Sequence, residues 1–335
     1  MKFKLTLEAN KSATTIHYQD KIMLMGSCFT ENIGAKLHRH LFEVKENPHG
    51  ILFNPISVIG ALQDYIDNKE YVATDLFELN DLFNSWHHHT RFSDISSEAA
   101  LKKINGSIND AHEYLKDTDK LVITLGSAWL YSLTTVAPNK AGLVVANNHK
   151  APAQWFEKKL MDPVELSLQL QKIVAALQLF NKNIHIIFTI SPVRHLREGL
   201  IENNRSKSVL IYAVHDLMAK LKGVDYFPAY EYVIDDLRDY RFYAEDLVHP
   251  NYAATNYVWD KLVSTYFSED TQLIMGEVAE LQLAKQHKPF NKASNAHQAF
   301  LQKSLIKTQQ LQSKYPYLPL ADFLTFFSDE LINNA

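Results

Sequence analysis

Four short apolar runs stand out along the chain, and each ends in small or turn-forming residues. They read IMLM at 22–25, LVITL at 121–125, IHIIFTI at 184–190 and VDYF at 224–227. Runs of this length are too short for most helices, and these are rich in β-branched and aromatic residues. They predict strands that are buried on both faces of a parallel sheet.

Segments with helical periodicity separate these runs. Apolar residues recur every four positions at Ile33, Leu37 and Leu41, which is one stripe of a helix. Residues 163–179 and 206–221 have similar amphipathic patterns. Strands that alternate with helices predict an α/β fold in which helices cover a parallel sheet. Ligands of such folds bind beyond the carboxyl ends of the strands.

The rest of the chain is predicted to form insertions into this core and an extension after it. Residues 56–118 and 132–160 are predicted insertions, and the first contains three consecutive histidines. From about residue 268 Gln, Lys and Ala dominate with helical spacing, interrupted at Pro289 and again at Pro316. We therefore predict one domain over 1–267 and a helical C-terminal extension over 268–335.

The amino-acid composition excludes some classes of function and of partner. The 335 residues are 46% hydrophobic and 21% charged, as in ordinary soluble proteins. The net charge is -4 and Lys and Arg form no run, so no nucleic-acid partner is expected. The single cysteine, Cys28, excludes a disulfide within the chain. The first residues reach Glu8 before a long apolar stretch develops, so we expect no secretory signal. No run approaches the roughly 20 residues that span a bilayer. We expect a cytoplasmic protein without a membrane partner.

Three residues predict a nucleophilic site. A serine needs a base that takes its proton, and the base needs a carboxylate that fixes its tautomer. Ser27 follows Gly26 directly after a predicted strand, where glycine permits a tight turn. Asp246 lies three residues before His249, so its carboxylate can fold back onto the imidazole. Pro250 then suits the first turn of a following helix.

The segment Gly26-Ser27-Cys28-Phe29-Thr30 resembles the motif of the GSCFA family, with Thr30 where the family name has Ala. The resemblance covers roughly residues 22–255. Further segments that resemble this family are NPHGILFNP at 47–55, ANNHK at 146–150, SPVRH at 191–195, YFPAYE at 226–231 and DYRFY at 239–243.

That family is similar to the SGNH/GDSL hydrolases, which implies a three-layer α/β/α sandwich. It also implies Ser27 as nucleophile with Asp246 and His249. The usual oxyanion donors are the serine N–H, a glycine in a second block and an asparagine in a third block. Gly50 suits the second block, but Ala128 occupies the asparagine position. Candidates for the missing donor are Asn54, Asn148 and His149.

Several residues have competing interpretations. Ser127 follows a second predicted strand and is either a rival nucleophile or a pocket residue. Cys28 is a stronger intrinsic nucleophile, but we interpret it as a packing residue. Arg194 either binds an anionic substrate group or pairs with Glu198. The histidines at 87–89 lack a carboxylate or cysteine framework for zinc, so we expect a surface or pocket-wall role and no metal.

The leading hypothesis is an ester hydrolase or acyl transferase that acts through an acyl-enzyme and needs no cofactor. The resemblance to the SGNH hydrolases implies a small-molecule ester, such as an acylated carbohydrate, as substrate. The alternative is a non-catalytic ligand-binding protein on the same scaffold, which the missing third-block asparagine favours. A third hypothesis is metal-dependent hydrolysis through the histidines. The C-terminal helices are candidate contacts of an oligomer.

Overall fold

The computed structural model describes residues 5–8, 10–138 and 140–333. The described strands are β1 Ile22–Gly26, β2 Val44–Glu46, β3 Leu76–Leu79, β4 Leu82–Ser85, β5 Lys120–Leu125, β6 Trp129–Leu133, β7 Phe156–Leu160, β8 His185–Ile190 and β9 Val224–Phe227. The described α-helices are α1 Cys28–Arg39, α2 Pro55–Asp67, α3 Ser97–Lys116, α4 Pro163–Phe180, α5 Leu200–Lys220, α6 Ala229–Glu231, α7 Tyr252–Tyr266, α8 Glu269–Gln286, α9 Asn295–Lys314 and α10 Ala321–Asn333.

Five strands form a parallel sheet in the order β2-β1-β5-β8-β9. The chain first moves from β1 to β2 and then returns across β1 to β5. Because such crossovers are right-handed, α1 covers one face of the sheet and α3 to α5 cover the other. The order reverses between β1 and β5, which is the switch point where doubly wound sheets bind ligands.

Alternate strand residues point to opposite faces of this sheet. Met25, Ile123 and Phe188 lie in one core cluster with buried residues of α2 to α5. Leu24 and Ile187, one position away, are also fully buried. Burial on both faces explains why these strands are uninterrupted apolar runs. The predicted α/β/α sandwich with a central parallel sheet is confirmed.

The pattern missed the short strands. β2 has only three residues at the sheet edge, and two antiparallel hairpins, β3-β4 and β6-β7, stand outside the main sheet. α5 begins at Leu200, six residues before the predicted start at Ser206. None of the described helices is both long and apolar enough to cross a membrane.

The chain divides into two compact units. The larger contains Lys21–Gly34, Val44–Thr265 and the described residues up to Lys11, and therefore the whole parallel sheet. The smaller contains Ser12–Asp20, Ala35–Glu43 and the residues from Tyr266 onward, with α9 packed against α10. The predicted domain boundary near 267 and the two predicted insertions stay predictions.

Candidate active site

Ser27 lies between the end of β1 and the start of α1. Gly26 has φ +128°, and a Cβ there would lie 2.0 Å from the Thr124 carbonyl oxygen, so only glycine fits. Ser27 Oγ accepts the Phe29 N–H at 3.4 Å, as a helix N-cap does. The side chain is 1% exposed. A strand thus delivers this hydroxyl to a helix N-terminus, where the helix dipole favours negative charge.

Asp246 and His249 form a closed pair on one loop. Asp246 Oδ2 lies 2.6 Å from His249 Nδ1. Asp246 Oδ1 accepts the backbone N–H groups of Val248 at 2.9 Å and His249 at 3.0 Å. Hydrogen bonds from the His249 backbone and imidazole and from Val248 lower the pKa of Asp246 to about 2. The carboxylate is therefore ionised at neutral pH and holds the imidazole by Nδ1.

The turn after His249 corrects one prediction. Pro250 was expected in the first helical turn, but α7 begins at Tyr252. Asn251 precedes the helix, and its Oδ1 accepts the Ala254 N–H at 3.2 Å. Pro250 instead forms an antiparallel bridge with Tyr243. The proline therefore closes the loop that carries the Asp246–His249 pair.

Arg194 holds this loop against the end of β8. Its backbone N–H donates to the Val248 carbonyl at 3.2 Å, and its Nη1 donates to the Leu247 carbonyl at 3.1 Å. The guanidinium carbon lies 4.1 Å from the ring centre of Tyr243. Glu198, the predicted partner of Arg194, lies 3.1 Å from Lys158. Arg194 is thus placed to position the His249 loop.

Ser27 and His249 both lie at the carboxyl edge of the sheet, one after β1 and the other on the loop tied to β8. Over 5–8, 10–138 and 140–333, no hydrogen bond joins Ser27 Oγ to His249. His249 is 49% exposed at its side chain, whereas Ser27 is buried. In this structure the Ser27 hydroxyl therefore caps the helix and is not bonded to the predicted base.

The predicted backbone donors already have acceptors. The Ser27 N–H donates to the Thr124 carbonyl at 3.2 Å, and the Gly50 N–H donates to the Asn47 carbonyl at 2.7 Å. Gly50 has φ +82°, and a Cβ there would lie 2.2 Å from His89 Cβ. Glycine at this position is therefore explained by packing alone.

Two of the three predicted substitutes for the missing asparagine are also engaged. Asn54 Oδ1 caps α2, and its Nδ2 donates to the Val145 carbonyl at 3.1 Å. His149 Nε2 lies 2.9 Å from the Ser85 carbonyl oxygen. Burial lowers the pKa of His149 to about 4. Asn148 lines the same cavity as Asn54, and its side-chain amide makes no hydrogen bond within the described residues.

This cavity, of about 290 Å³, opens at the carboxyl edge of the sheet. Its wall combines aromatic rings, amides, an imidazole, a guanidinium and a carboxylate. The lining residues are Phe53, Asn54, Ser127, Trp129, Tyr131, Val145, Ala146, Asn147, Asn148, His195, Arg197 and Glu198. An apolar wall with a few polar groups is typical of small-molecule sites.

The two rival nucleophiles have no imidazole partner in the described residues, as Ser27 has none either. Ser127 Oγ lies 3.2 Å from Ser206 Oγ and accepts the Trp129 N–H at 3.2 Å. No imidazole is bonded to it in the described residues. Burial, with Glu31 nearby, raises the pKa of the Cys28 thiol. A raised pKa disfavours the thiolate, so Cys28 is not an activated nucleophile.

The three consecutive histidines occupy three different environments. His87 lines a separate cavity beside Asp64. His88 is buried, with Nδ1 2.8 Å from Ser85 Oγ. His89 Nδ1 accepts the Arg91 N–H at 3.3 Å and starts a 3-10 turn. Within the described ranges no group of three or more His, Cys, Asp or Glu side chains could hold a metal ion.

The pattern analysis missed Lys207, a buried lysine beside the site. It is 1% exposed, and its Nζ donates to the Gly126 carbonyl at 2.6 Å and the Ser191 carbonyl at 2.7 Å. Burial lowers its pKa to about 7. No carboxylate lies within ion-pair distance of it in the described part of the chain. A lysine on the apolar stripe of α5, three residues before Leu210, was the signal in the sequence.

Residues 21–262 match the model of the GSCFA family. The chain belongs to the GSCFA family. The predicted resemblance is therefore confirmed, and residues 278–333 match a second model, GSCFA domain protein, C-terminal domain. The comparison of this GSCFA chain with curated proteins gave no match.

Two solved structures are similar to this GSCFA chain. The first is a carbohydrate esterase family 2 enzyme plus carbohydrate binding domain from Corynascus thermopiles (Myceliophthora fergusii), at 14% identity and TM-score 0.37, covering 79% of this chain and 69% of the other. The second is an acetyl xylan esterase from the rumen bacterium Butyrivibrio proteoclasticus, at 10% identity and TM-score 0.38, covering 74% of this chain and 64% of the other.

Proposed function

We propose that this GSCFA chain is a serine ester hydrolase or acyl transferase in which Ser27, His249 and Asp246 form the catalytic triad. The observation that carries the proposal is the 2.6 Å contact between Asp246 Oδ2 and His249 Nδ1. An ionised carboxylate on Nδ1 leaves Nε2 as the basic nitrogen. A serine nucleophile requires a base of this kind. His249 lies at the same edge of the sheet as Ser27, which caps α1.

The reaction proceeds in two halves. Ser27 Oγ attacks the ester carbonyl carbon while His249 Nε2 takes the hydroxyl proton, and the carbonyl oxygen becomes an oxyanion. The intermediate then collapses to the acyl-enzyme, and the departing alkoxide takes the proton from His249. Water or an acceptor alcohol next gives its proton to His249 and attacks the acyl carbon. Collapse releases the acid or the new ester and returns the proton to Ser27.

The cavity supports a small acyl ester as substrate. Trp129 and Tyr131 present aromatic rings, and Asn147 and Asn148 present amides. Aromatic rings suit the C–H faces of a sugar, and amides suit its hydroxyl groups. We therefore retain an acylated carbohydrate as the substrate class. A cytoplasmic location and an oligomer formed through the C-terminal helices stay predictions.

Labelling with a fluorophosphonate tests the proposal directly. We expect one adduct on Ser27, together with turnover of short-chain acyl esters such as p-nitrophenyl acetate. Both should be lost in Ser27→Ala and retained in Ser127→Ala. A folded protein that forms no adduct and hydrolyses no ester would contradict the proposal. An adduct on Ser127 would identify Ser127, and not Ser27, as the nucleophile.

The second candidate function is a ligand-binding protein on the same scaffold. Two observations favour it: Ala128 replaces the third-block asparagine, and the Ser27 and Gly50 N–H groups already have carbonyl acceptors. In this case an acylated sugar would bind in the cavity and would be recovered intact. Calorimetric binding without turnover, unchanged in Ser27→Ala, is the outcome that would identify it.

A further inference from the structure

His195 lies beside the residue that follows β5, the strand that pairs with β1. Its backbone N–H donates to Asn203 Oδ1 at 2.9 Å, and its ring packs edge-on against Phe53 at 5.5 Å. A Cβ on Gly126 would lie 3.4 Å from His195 Nε2. Gly126 comes two residues after Thr124, the neighbour of Gly26 across the β1-β5 pair. The imidazole thus sits one strand away from Ser27.

The same imidazole lies next to the His249 loop. The residue before it, Arg194, donates its backbone N–H to the Val248 carbonyl. The charge of His249 is one of the influences that lower the pKa of His195. His195 also lines the cavity, so it borders the loop of the predicted base, the glycine that follows β5 and the space for a substrate.

His195 Nε2 is buried and has no hydrogen-bond partner in the described residues. A buried polar atom without a partner costs free energy, and a catalytic role or a bound ligand is one explanation of such an atom. Burial, together with the positive charge of Lys207, lowers the pKa of His195 to about 4. The imidazole is therefore neutral at pH 7, with one N–H to donate and little capacity to act as a base.

We infer that His195 is the side-chain donor of the oxyanion hole, with its Nε2–H directed at the carbonyl oxygen of an ester attacked by Ser27. This inference rests on the proposed function. It assigns to His195 the role that Ala128 leaves empty in the third block. A neutral imidazole serves it because an N–H that is already in place stabilises developing charge without reorganisation.

Substitution of His195 tests the inference against a matched control. His195→Phe removes the donor, whereas His195→Gln keeps a side-chain N–H. The control is His185→Gln, since His185 starts β8 at the opposite end of the sheet, paired with Asp225 at 3.1 Å. Removal of one oxyanion donor lowers kcat by about 10²- to 10³-fold. We expect that loss in His195→Phe with KM nearly unchanged, a smaller loss in His195→Gln, and wild-type kinetics in His185→Gln.

Inhibition by a trifluoromethyl ketone distinguishes an oxyanion donor from a residue that only supports the fold. The ketone forms an oxyanion adduct with the serine, so its inhibition constant should rise in His195→Phe in proportion to the loss of kcat. Wild-type kcat in His195→Phe, or an effect on KM alone, would overturn this inference and leave the proposed function intact. If His195→Phe does not fold, His195→Gln with unaltered kcat and unaltered inhibition by the ketone would overturn it as well. A wild-type protein inert to fluorophosphonate would overturn both.

Discussion

Asp246 and His249 are joined by two hydrogen bonds: one between Asp246 Oδ2 and His249 Nδ1 at 2.6 Å, and one that Asp246 Oδ1 accepts from the His249 backbone N–H at 3.0 Å. Asp246 Oδ1 also accepts the backbone N–H of Val248 at 2.9 Å. The carboxylate therefore fixes both the imidazole and the turn that carries it. With its pKa at about 2, it stays ionised across the range in which a histidine base works.

Asp246→Asn should lower kcat by about 10³- to 10⁴-fold, because an amide can donate to Nδ1 and stabilise the wrong tautomer of His249. The control is Asp239→Asn, which alters an exposed carboxylate that caps a 3-10 turn of the same region and lies 3.4 Å from Arg241 Nε. Steady-state ester hydrolysis at pH 7 to 8 gives the comparison. Equal activity in the two variants would contradict the triad.

Arg194→Met should lower kcat by about 10- to 100-fold, since the guanidinium that holds the Leu247 carbonyl is lost and His249 shifts. Arg205→Met serves as the control because Arg205 makes an exposed ion pair with Glu202 on α5. If Arg194→Met instead raised KM at constant kcat, Arg194 would be a substrate-binding residue, as the sequence first suggested.

Gly26→Ala should destabilise the chain by at least about 3 kcal/mol, because the new Cβ would meet the Thr124 carbonyl at a backbone angle that L residues avoid. The control is Gly60→Ala, since Gly60 lies in α2 with open space around its Cα. That change should stabilise by about 0.5–1 kcal/mol. Urea unfolding measures both, and similar midpoints for the two variants would show that the turn tolerates a side chain.

Lys207 should make the free energy of unfolding depend on pH. Its pKa is about 7 in the folded chain against 10.5 for an ordinary lysine. The unfolded chain therefore binds more protons between pH 7 and 10.5, so stability attributable to Lys207 rises with pH across this window, by at most about 1.4 kcal/mol per pH unit.

Lys207→Met should flatten this dependence. Lys220→Met, an exposed position on the same helix, should retain the wild-type slope. Urea unfolding at pH 7, 8 and 9 measures the three slopes. A slope in Lys207→Met equal to that of the wild type would mean that Lys207 is charged throughout this range.

The sequence predicted the parts of the fold that burial dictates. β1, β5 and β8 are buried runs because helices cover both faces of the sheet, so each can be read locally. β9 lies at the sheet edge, and its two central residues are half-buried. β2 was missed because a three-residue edge strand carries too little pattern. β3 and β4 are joined by Asn80 and Asp81, a two-residue turn with positive φ that the predicted pattern did not include. Residues 134–155 separate β6 from β7, so no local turn signals their pairing.

The residues of the candidate site were likewise predictable only where their contacts are local in the sequence. Asp246 and His249 are three residues apart, so their pairing follows from local geometry. His195 and Lys207 come to the sheet edge from a loop and a helix, and only the strand order places them beside Gly126. The apolar stripe of α5 carries the signal for Lys207, but its acceptors could not be identified without the topology.

Lys207 has two carbonyl acceptors, and a lysine that has lost its proton still has two N–H groups. Deprotonation near neutral pH would therefore remove the positive charge of Lys207 near His195. The lysine would still join Gly126, after β5, to Ser191, after β8. The field around the candidate oxyanion site could then change with pH without any movement of the chain. In a buried ion pair, loss of a charge usually weakens the contact as well. Here the contact can persist when the charge is lost, because the partners of Lys207 are neutral carbonyl groups.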